Sequence, residues 1–126
     1  MTDELPICEL LGEPTLKAMV AAFYRRVRSD DVLGPMYPKD DWEGAEHRLA
    51  TFLIYRFGGA QTYLQERGHP RLRMRHAPFA IDARARDRWL ELMMAAIEEV
   101  GIEAQYRDYM ERFLGDIATF LINRAS

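Results

Sequence analysis

The chain of 126 residues contains one cysteine and three histidines, and it lacks any long apolar run. The single cysteine, Cys8, excludes an internal disulfide framework and fits a reducing compartment. No apolar stretch approaches the roughly 20 residues that a membrane-spanning helix needs, and the first residues lack the basic and then apolar pattern of a secretory signal. We therefore expect a cytoplasmic protein without a membrane span.

The charge balance offers no global attraction for nucleic acid. Fifteen of the 17 basic residues are arginine, yet the formal net charge is −3, so any basic patch must be local. The apolar fraction of 48% and the charged fraction of 29% are typical of globular proteins, and this length suits one hydrophobic core. We expect one domain, residues 1–126, that does not bind nucleic acid.

Glycine and proline residues divide the chain into segments whose apolar residues recur at steps of three and four, which is the mark of amphipathic helices. Four main helices are predicted over residues 14–30, 42–56, 83–100 and 106–121. Shorter helices are predicted near residues 6–11 and 61–67, and Asp82 is expected to cap the third main helix. No alternating pattern predicts a strand, so the fold class is all-α.

Two irregular segments separate these helices. Residues 31–41 contain Gly34, Pro35 and Pro38, which disfavour a helix and predict a loop that presents Tyr37. Residues 68–78 contain two prolines and little periodicity, and we expect a loop there with one helical turn at most.

The three histidines, His47, His69 and His76, do not have the spacing of a zinc site. A haem iron has a simpler requirement, because the porphyrin supplies four nitrogens and the protein needs to donate one imidazole. A lone histidine is more often a hydrogen-bonded structural residue than a metal ligand. The residues around each histidine must therefore decide between these interpretations.

Three arginines, Arg71, Arg73 and Arg75, precede His76 in the second irregular segment. The two propionates of a haem need cations at the rim of the pocket, and arginine suits carboxylates best. The alternatives are a solvated basic loop or an RNA-binding patch. The overall acidity and the lack of aromatic residues between the arginines disfavour RNA.

Six aromatic residues offer both an apolar slot and hydrogen-bond donors: Phe23, Tyr24, Tyr37, Phe52, Phe57 and Trp89. Each of them alone is best explained as core filler. As a set they suit a flat aromatic macrocycle and an iron-bound gas, which carries partial negative charge and benefits from an indole N–H or a phenol O–H.

The order and spacing of several motifs resemble the truncated haemoglobins of group II. The resemblance spans nearly the whole chain. Its longest motif is Gly-His-Pro-x-Leu-Arg-x-Arg-His-x-Pro-Phe-x-Ile at residues 68–81, and it extends to Phe23-Tyr24, Tyr37-Pro38, Gly58-Gly59 and Trp89.

The resemblance implies a truncated globin, a two-over-two helical sandwich around haem b, with His76 as the proximal iron ligand. It places five residues on the distal side, where the gas binds: Tyr24, Tyr37, Ala45, Leu49 and Trp89. It implies further cofactor contacts from Arg48, Phe52, Tyr63, Arg75 and Trp89, with Arg48, Arg75 and Tyr63 toward the propionates. Because Ala45 cannot donate a hydrogen bond, the donors on the distal side must be Trp89 and the two phenols.

The function implied by the resemblance is reversible binding of oxygen, for its transport, capture or storage, and of carbon monoxide and nitric oxide as related diatomic gases. An alternative is a redox enzyme that uses the haem for nitric oxide dioxygenation or peroxide reduction, with an electron-donating reductase as partner. No catalytic residue is assigned. A haem-free helical adaptor is the third hypothesis, and formation of a homo-oligomer stays open.

Overall fold

The computed structural model describes residues 5–125, and within this range it contains helices and no strand. The predicted all-α class is confirmed. The helices are α1 Ile7–Leu11, α2 Glu13–Val27, α3 Trp42–Arg56, α4 Thr62–Arg67, α5 Leu72–His76, α6 Ala83–Glu99 and α7 Ala104–Phe120, with a 3₁₀ turn at Gly34–Met36. No helix within the described range is long and apolar enough to cross a membrane.

Helix α2 lies at the centre of the packing. It packs against α3 on one side and against α6 on the other, and α6 in turn packs against α7. Its apolar stripe, predicted from the steps of three and four residues, is fully buried at Leu16, Met19, Val20, Phe23 and Val27. Burial of each such side chain stabilises the fold by about 1.5–3 kcal/mol. The helices therefore form two pairs, α2 with α3 and α6 with α7, which are joined through α2 and α6.

Local capping explains where two of the main helices begin and end. The carboxylate of Asp82 accepts a hydrogen bond from the backbone N–H of Ala85 at 2.9 Å, so the predicted cap of α6 is confirmed. Helix α3 spans the predicted residues 42–56 and stops before Gly58, whose φ of +93° is one that L side chains rarely adopt.

Helix α2 ends at Val27, and the prediction that it extends to residues 29–30 is wrong. The carboxylate of Asp30 accepts hydrogen bonds from the backbone N–H groups of Val32 and Leu33 at 3.0 and 2.9 Å. These bonds stabilise a non-helical turn, so α2 does not continue through these residues. The turn leads into the 3₁₀ helix of the predicted loop, which places Pro35 in its first turn.

The second irregular segment contains the helical turn expected there, as the short helix α5, which carries His76. The helix follows Arg71, whose φ of 44° lies in the left-handed region. None of the five residues of α5 is buried. The helix therefore has no apolar stripe, which explains why the periodicity of the sequence does not reveal it.

Candidate functional site

One cavity of about 440 Å³ lies among the main helices, α4, α5 and the loop with the 3₁₀ turn. This volume is within the range of small-molecule and cofactor sites, roughly 300–1,000 Å³. The cavity is lined by all of the residues that the sequence predicts for the site: Tyr24, Tyr37, Ala45, Arg48, Leu49, Phe52, Tyr63, Arg75, His76 and Trp89. The fold thus brings residues from six helices and loops to one place.

His76 is the one histidine of the three that lines the cavity, and all three lie within the described residues. Its Nδ1 is 2.7 Å from the carbonyl oxygen of Leu72, one turn earlier in α5. Because a carbonyl can only accept, Nδ1 carries the proton and Nε2 of the neutral ring keeps its lone pair. This is the arrangement that orients a histidine for binding to a metal. His47, in contrast, is exposed and pairs with Glu66.

The phenols of Tyr24 and Tyr37 meet at the cavity. Tyr24 is buried in α2, and the ring of Tyr37 lies edge-on to it, with centroids 5.6 Å apart. Burial, followed by the electrostatic influence and the hydrogen bond of Tyr37, raises the pKa of Tyr24 well above its ordinary value. Burial also raises the pKa of Tyr37, although the bond from Tyr24 opposes that rise. Both phenols therefore remain protonated at neutral pH.

Trp89 reaches the cavity from α6 and packs edge-on against Phe23, with ring centroids 5.3 Å apart. The other tryptophan, Trp42, extends the same aromatic cluster, because its ring stacks on Tyr37 at 5.4 Å. The guanidinium of Arg28 lies 5.5 Å from the centroid of the Trp42 ring. Sequence reasoning missed Trp42, and its position as the first residue of α3, directly after the loop of Tyr37, was the available signal.

Helix α3 supplies an apolar wall. Ala45, Leu49 and Phe52 lie on successive turns of this helix and line the cavity. Ala45 is only 6% exposed and offers a methyl group. The ring of Phe52 packs edge-on against Tyr63 of α4, with centroids 5.5 Å apart.

A second apolar wall comes from the end of α7, and the sequence analysis did not place these residues at the site. Spaced at steps of three and four, they lie on one face and comprise Leu114, Ile117 and Ala118 of the helix and Leu121 directly after its end. The periodicity was visible in the sequence, but only the assembled fold shows that this face turns toward the cavity.

Arginine is the charged residue of the cavity lining. Arg48, Arg67, Arg75 and Arg86 line it, and no carboxylate among residues 5–125 does. The guanidinium of Arg48 also pairs with Asp41 at 3.0 Å. A cavity with apolar walls and several cations favours a ligand that is apolar in its body and anionic at its edge.

The guanidinium of Arg75 donates hydrogen bonds to backbone carbonyls before α5. Its Nε lies 2.7 Å from the oxygen of Pro70, and its Nη2 lies 2.8 Å from that of Arg67 and 3.3 Å from that of His69. Through these bonds Arg75 stabilises the loop between α4 and α5. The contact of Arg75 with a propionate stays a prediction.

These observations fit haem b. The site offers an imidazole with a free Nε2 lone pair, two apolar walls, cations for the propionates, and phenol and indole donors. His76 would hold the iron, and Arg48, Arg75 and Tyr63 are the candidate partners of the propionates.

Comparison with known proteins agrees with a haem-binding globin. The family model described as "Bacterial-like globin" matches residues 7–123. Group 2 truncated hemoglobin YjbI of Bacillus subtilis (strain 168) is 38% identical over 116 residues, which cover 92% of this chain and 87% of that protein.

Two crystallised haemoglobins have the same fold. The hemoglobin of the thermophilic phototrophic bacterium Chloroflexus aurantiacus is 44% identical, with a TM-score of 0.90 over 96% of this chain and all of that one. The truncated haemoglobin of Bacillus subtilis described as oxygen-avid is 37% identical, with a TM-score of 0.87 over 92% of this chain and 98% of that one. The two-over-two sandwich is therefore confirmed. The chain belongs to the bacterial-like globin family, within the group II truncated haemoglobins, and its cofactor is haem b.

Proposed function

We propose that this chain binds oxygen reversibly, with His76 as the proximal ligand of the haem iron and Tyr24, Tyr37 and Trp89 as the donors on the distal side. When bound, the haem iron supplies the coordination position for a diatomic gas: oxygen, carbon monoxide or nitric oxide. Membership of a haem-binding family disfavours the haem-free adaptor that the sequence alone leaves open.

The observation that carries the proposal is the hydrogen bond from Nδ1 of His76 to the carbonyl of Leu72. This bond fixes the tautomer and the ring orientation, so that Nε2 is available to the iron. A neutral imidazole ligand together with hydrogen-bond donors favours holding oxygen over splitting it. The description of the similar Bacillus subtilis haemoglobin as oxygen-avid supports the same function.

The distal residues would stabilise the bound gas by donating hydrogen bonds. The Tyr24 and Tyr37 phenols stay protonated because their pKa values are raised, and the indole N–H of Trp89 is a permanent donor. Ala45 contributes space and no polar group. Bound oxygen carries partial negative charge, so these donors favour it over the uncharged carbon monoxide.

The test is a cycle of oxygenation and deoxygenation of the ferrous protein, followed by its absorption spectrum. We expect the oxygenated spectrum to form, to revert when oxygen is removed, and to form again through several cycles. Rapid one-way conversion to the ferric protein in each cycle would contradict reversible binding.

The second candidate is redox chemistry, namely nitric oxide dioxygenation or peroxide reduction with electrons from a reductase. The observation that favours it is the continuous contact of Tyr24, Tyr37 and the partly exposed Trp42, whose rings lie within 5.4 to 6.3 Å of one another. Such side chains can serve as radical sites between a haem and the protein surface.

Nitric oxide consumption and peroxide turnover with a chemical reductant distinguish the two candidates. Turnover no faster than that of free haem would favour simple binding. Turnover well above that of free haem, reduced in a Trp42→Phe variant, would favour the enzyme.

A further inference from the structure

The short helix α5, which carries His76, packs against the core through the partly buried Leu72. It has five residues, and none of them is buried, while Met74 at its centre is 58% exposed. Apolar burial is the usual source of helix stability in proteins. With a single side chain of α5 packed against the core, hydrogen bonds at the two ends of the helix also contribute to the position of His76.

The segment before α5 is held by Arg75, whose guanidinium bonds to the carbonyls of Arg67, His69 and Pro70. These three bonds fix the chain where it enters the helix. They leave the segment that follows His76, residues 77–82, to be fixed by a different partner.

That partner is Asn123, which follows α7. Its side-chain Nδ2 donates to the carbonyl of His76 at 3.2 Å and to that of Phe79 at 2.9 Å. Its Oδ1 accepts from the N–H of Ile81 at 2.9 Å, and its backbone N–H donates to the carbonyl of Ile81 at 2.8 Å. One residue thus bonds to three positions in the segment that begins at His76.

The side-chain amide of Asn123 acts both as a donor, through Nδ2, and as an acceptor, through Oδ1. The carbonyl of His76 is one of the last carbonyls of α5; it accepts from the backbone N–H of Phe79 at 3.0 Å and, in addition, from the amide N–H of Asn123 at 3.2 Å. The N–H of Ile81 donates a hydrogen bond to the amide oxygen of Asn123. Among uncharged side chains of this length, only asparagine offers two donors and an acceptor in one group.

We infer that Asn123 is a positioning residue for the proximal His76, which it fixes through the backbone of α5 and of residues 77–82. The inference rests on the proposed role of His76 as the iron ligand. Partners that orient a metal-binding histidine typically change metal affinity or activity by about 10- to 100-fold when they are removed. Asn123 acts on the backbone of the histidine, in addition to the bond that Leu72 makes to the ring.

The test compares two variants of the haem-loaded full chain. Asn123→Asp keeps the acceptor for Ile81 and cannot donate to His76 or Phe79, whereas Asn123→Ala loses both functions. Asp116→Asn is the matched control, because it changes an exposed side chain of the same helix α7 that does not line the cavity. Three quantities are measured: haem transfer to an excess of apomyoglobin, the iron–histidine vibration by resonance Raman, and exchange of the Ile81 amide hydrogen.

Both Asn123 variants are expected to transfer haem about 10-fold faster or more, and to shift or broaden the iron–histidine band. The Ile81 amide should stay protected in Asn123→Asp and lose protection in Asn123→Ala. Asp116→Asn should behave as the wild type in all three measurements.

The inference would be overturned if both Asn123 variants transfer haem within a factor of two of the wild-type rate and keep the iron–histidine band unchanged. Equal acceleration in Asp116→Asn would also overturn it, because a general effect of substitutions in α7 would then be the cause. A His76→Ala variant measured in parallel separates the two levels of the argument. If that variant keeps the wild-type band, the proposed role of His76 has failed, and with it the inference. If it loses the band while both Asn123 variants keep it, only the inference about Asn123 has failed.

Discussion

The phenol groups of Tyr24 and Tyr37 are hydrogen-bonded to each other, and their rings stand nearly perpendicular, at 88°. The two residues come from different parts of the fold, α2 and the loop after the 3₁₀ turn. The pair therefore joins this loop to the central helix at the cavity. Burial at this position is the main cause that raises the pKa of both phenols.

The raised pKa of Tyr24 predicts a loss of stability at alkaline pH. Above the ordinary value of 10.0, the unfolded chain has lost this proton while the folded protein still holds it. The free energy of unfolding must then fall as pH rises, until the folded phenol also ionises. We expect Tyr24→Phe to remove part of this alkaline decline, as measured by denaturant unfolding at a series of pH values.

Tyr109→Phe is the control for the alkaline prediction, because it removes a partly exposed phenol of α7 away from the cavity. Its decline with pH should match that of the wild type. An identical alkaline slope for wild type and Tyr24→Phe would contradict the prediction.

Trp89→Phe should mainly accelerate the dissociation of oxygen. Removing a hydrogen bond to a charged group typically costs about 1.5–3 kcal/mol, which corresponds to about a 10- to 150-fold change in affinity. The ring of phenylalanine preserves the packing on Phe23 but has no N–H. Stopped-flow measurement of oxygen dissociation tests this.

The other tryptophan provides the control for this experiment. Trp42 stacks on Tyr37 but does not line the cavity, so Trp42→Phe should alter dissociation far less than Trp89→Phe. If the Trp89→Phe rate stays within a factor of two of wild type, the assigned role of Trp89 is wrong.

The ion pair of Arg88 with Asp30 predicts a dependence of stability on acidic pH. The side chain of Asp30 is only 7% exposed. Burial raises the pKa of this carboxyl, but hydrogen bonds from the Leu33 amide and from Arg88 outweigh burial and lower the pKa below its ordinary 3.8. The stabilisation is therefore present above that value and is lost as pH falls through the lower folded value.

Arg88→Gln should accordingly destabilise the protein near neutral pH, and the difference from wild type should shrink as the pH falls below the ordinary value of 3.8. Denaturant unfolding near neutral pH and again below pH 3.8 measures this difference in stability. Arg84→Gln, at an exposed position one turn earlier in α6, is the matched control. A deficit of Arg88→Gln that is the same at both pH values would count against the titration of Asp30 as the cause.

The elements that were predicted best from the sequence are those that depend on interactions between residues close together in the chain. Helix α3 has the predicted bounds because its apolar stripe and the glycines after it are local signals. The cap at Asp82 was likewise readable, since the carboxylate bonds to an amide three residues away. All of the predicted site residues line one cavity, because the resemblance supplied positions that periodicity alone could not.

The features that sequence missed depend on contacts between distant parts of the chain. Helix α5 has no buried residue, and Asn123 contacts it from 47 positions away. Nothing near residues 72–76 indicates that contact. The apolar face at the end of α7 was visible as a stripe, but the choice between core and cavity wall depends on which helices lie opposite it.

The central claim is that His76 holds the haem iron, and the absorption spectrum of the three single histidine variants tests it most directly. His47→Ala and His69→Ala are the controls, since neither residue lines the cavity. We predict that the wild type and both controls show a Soret band that shifts with carbon monoxide, and that His76→Ala loses haem or binds it loosely with an altered band. A His76→Ala protein with the wild-type Soret band and the wild-type shift with carbon monoxide would contradict the account.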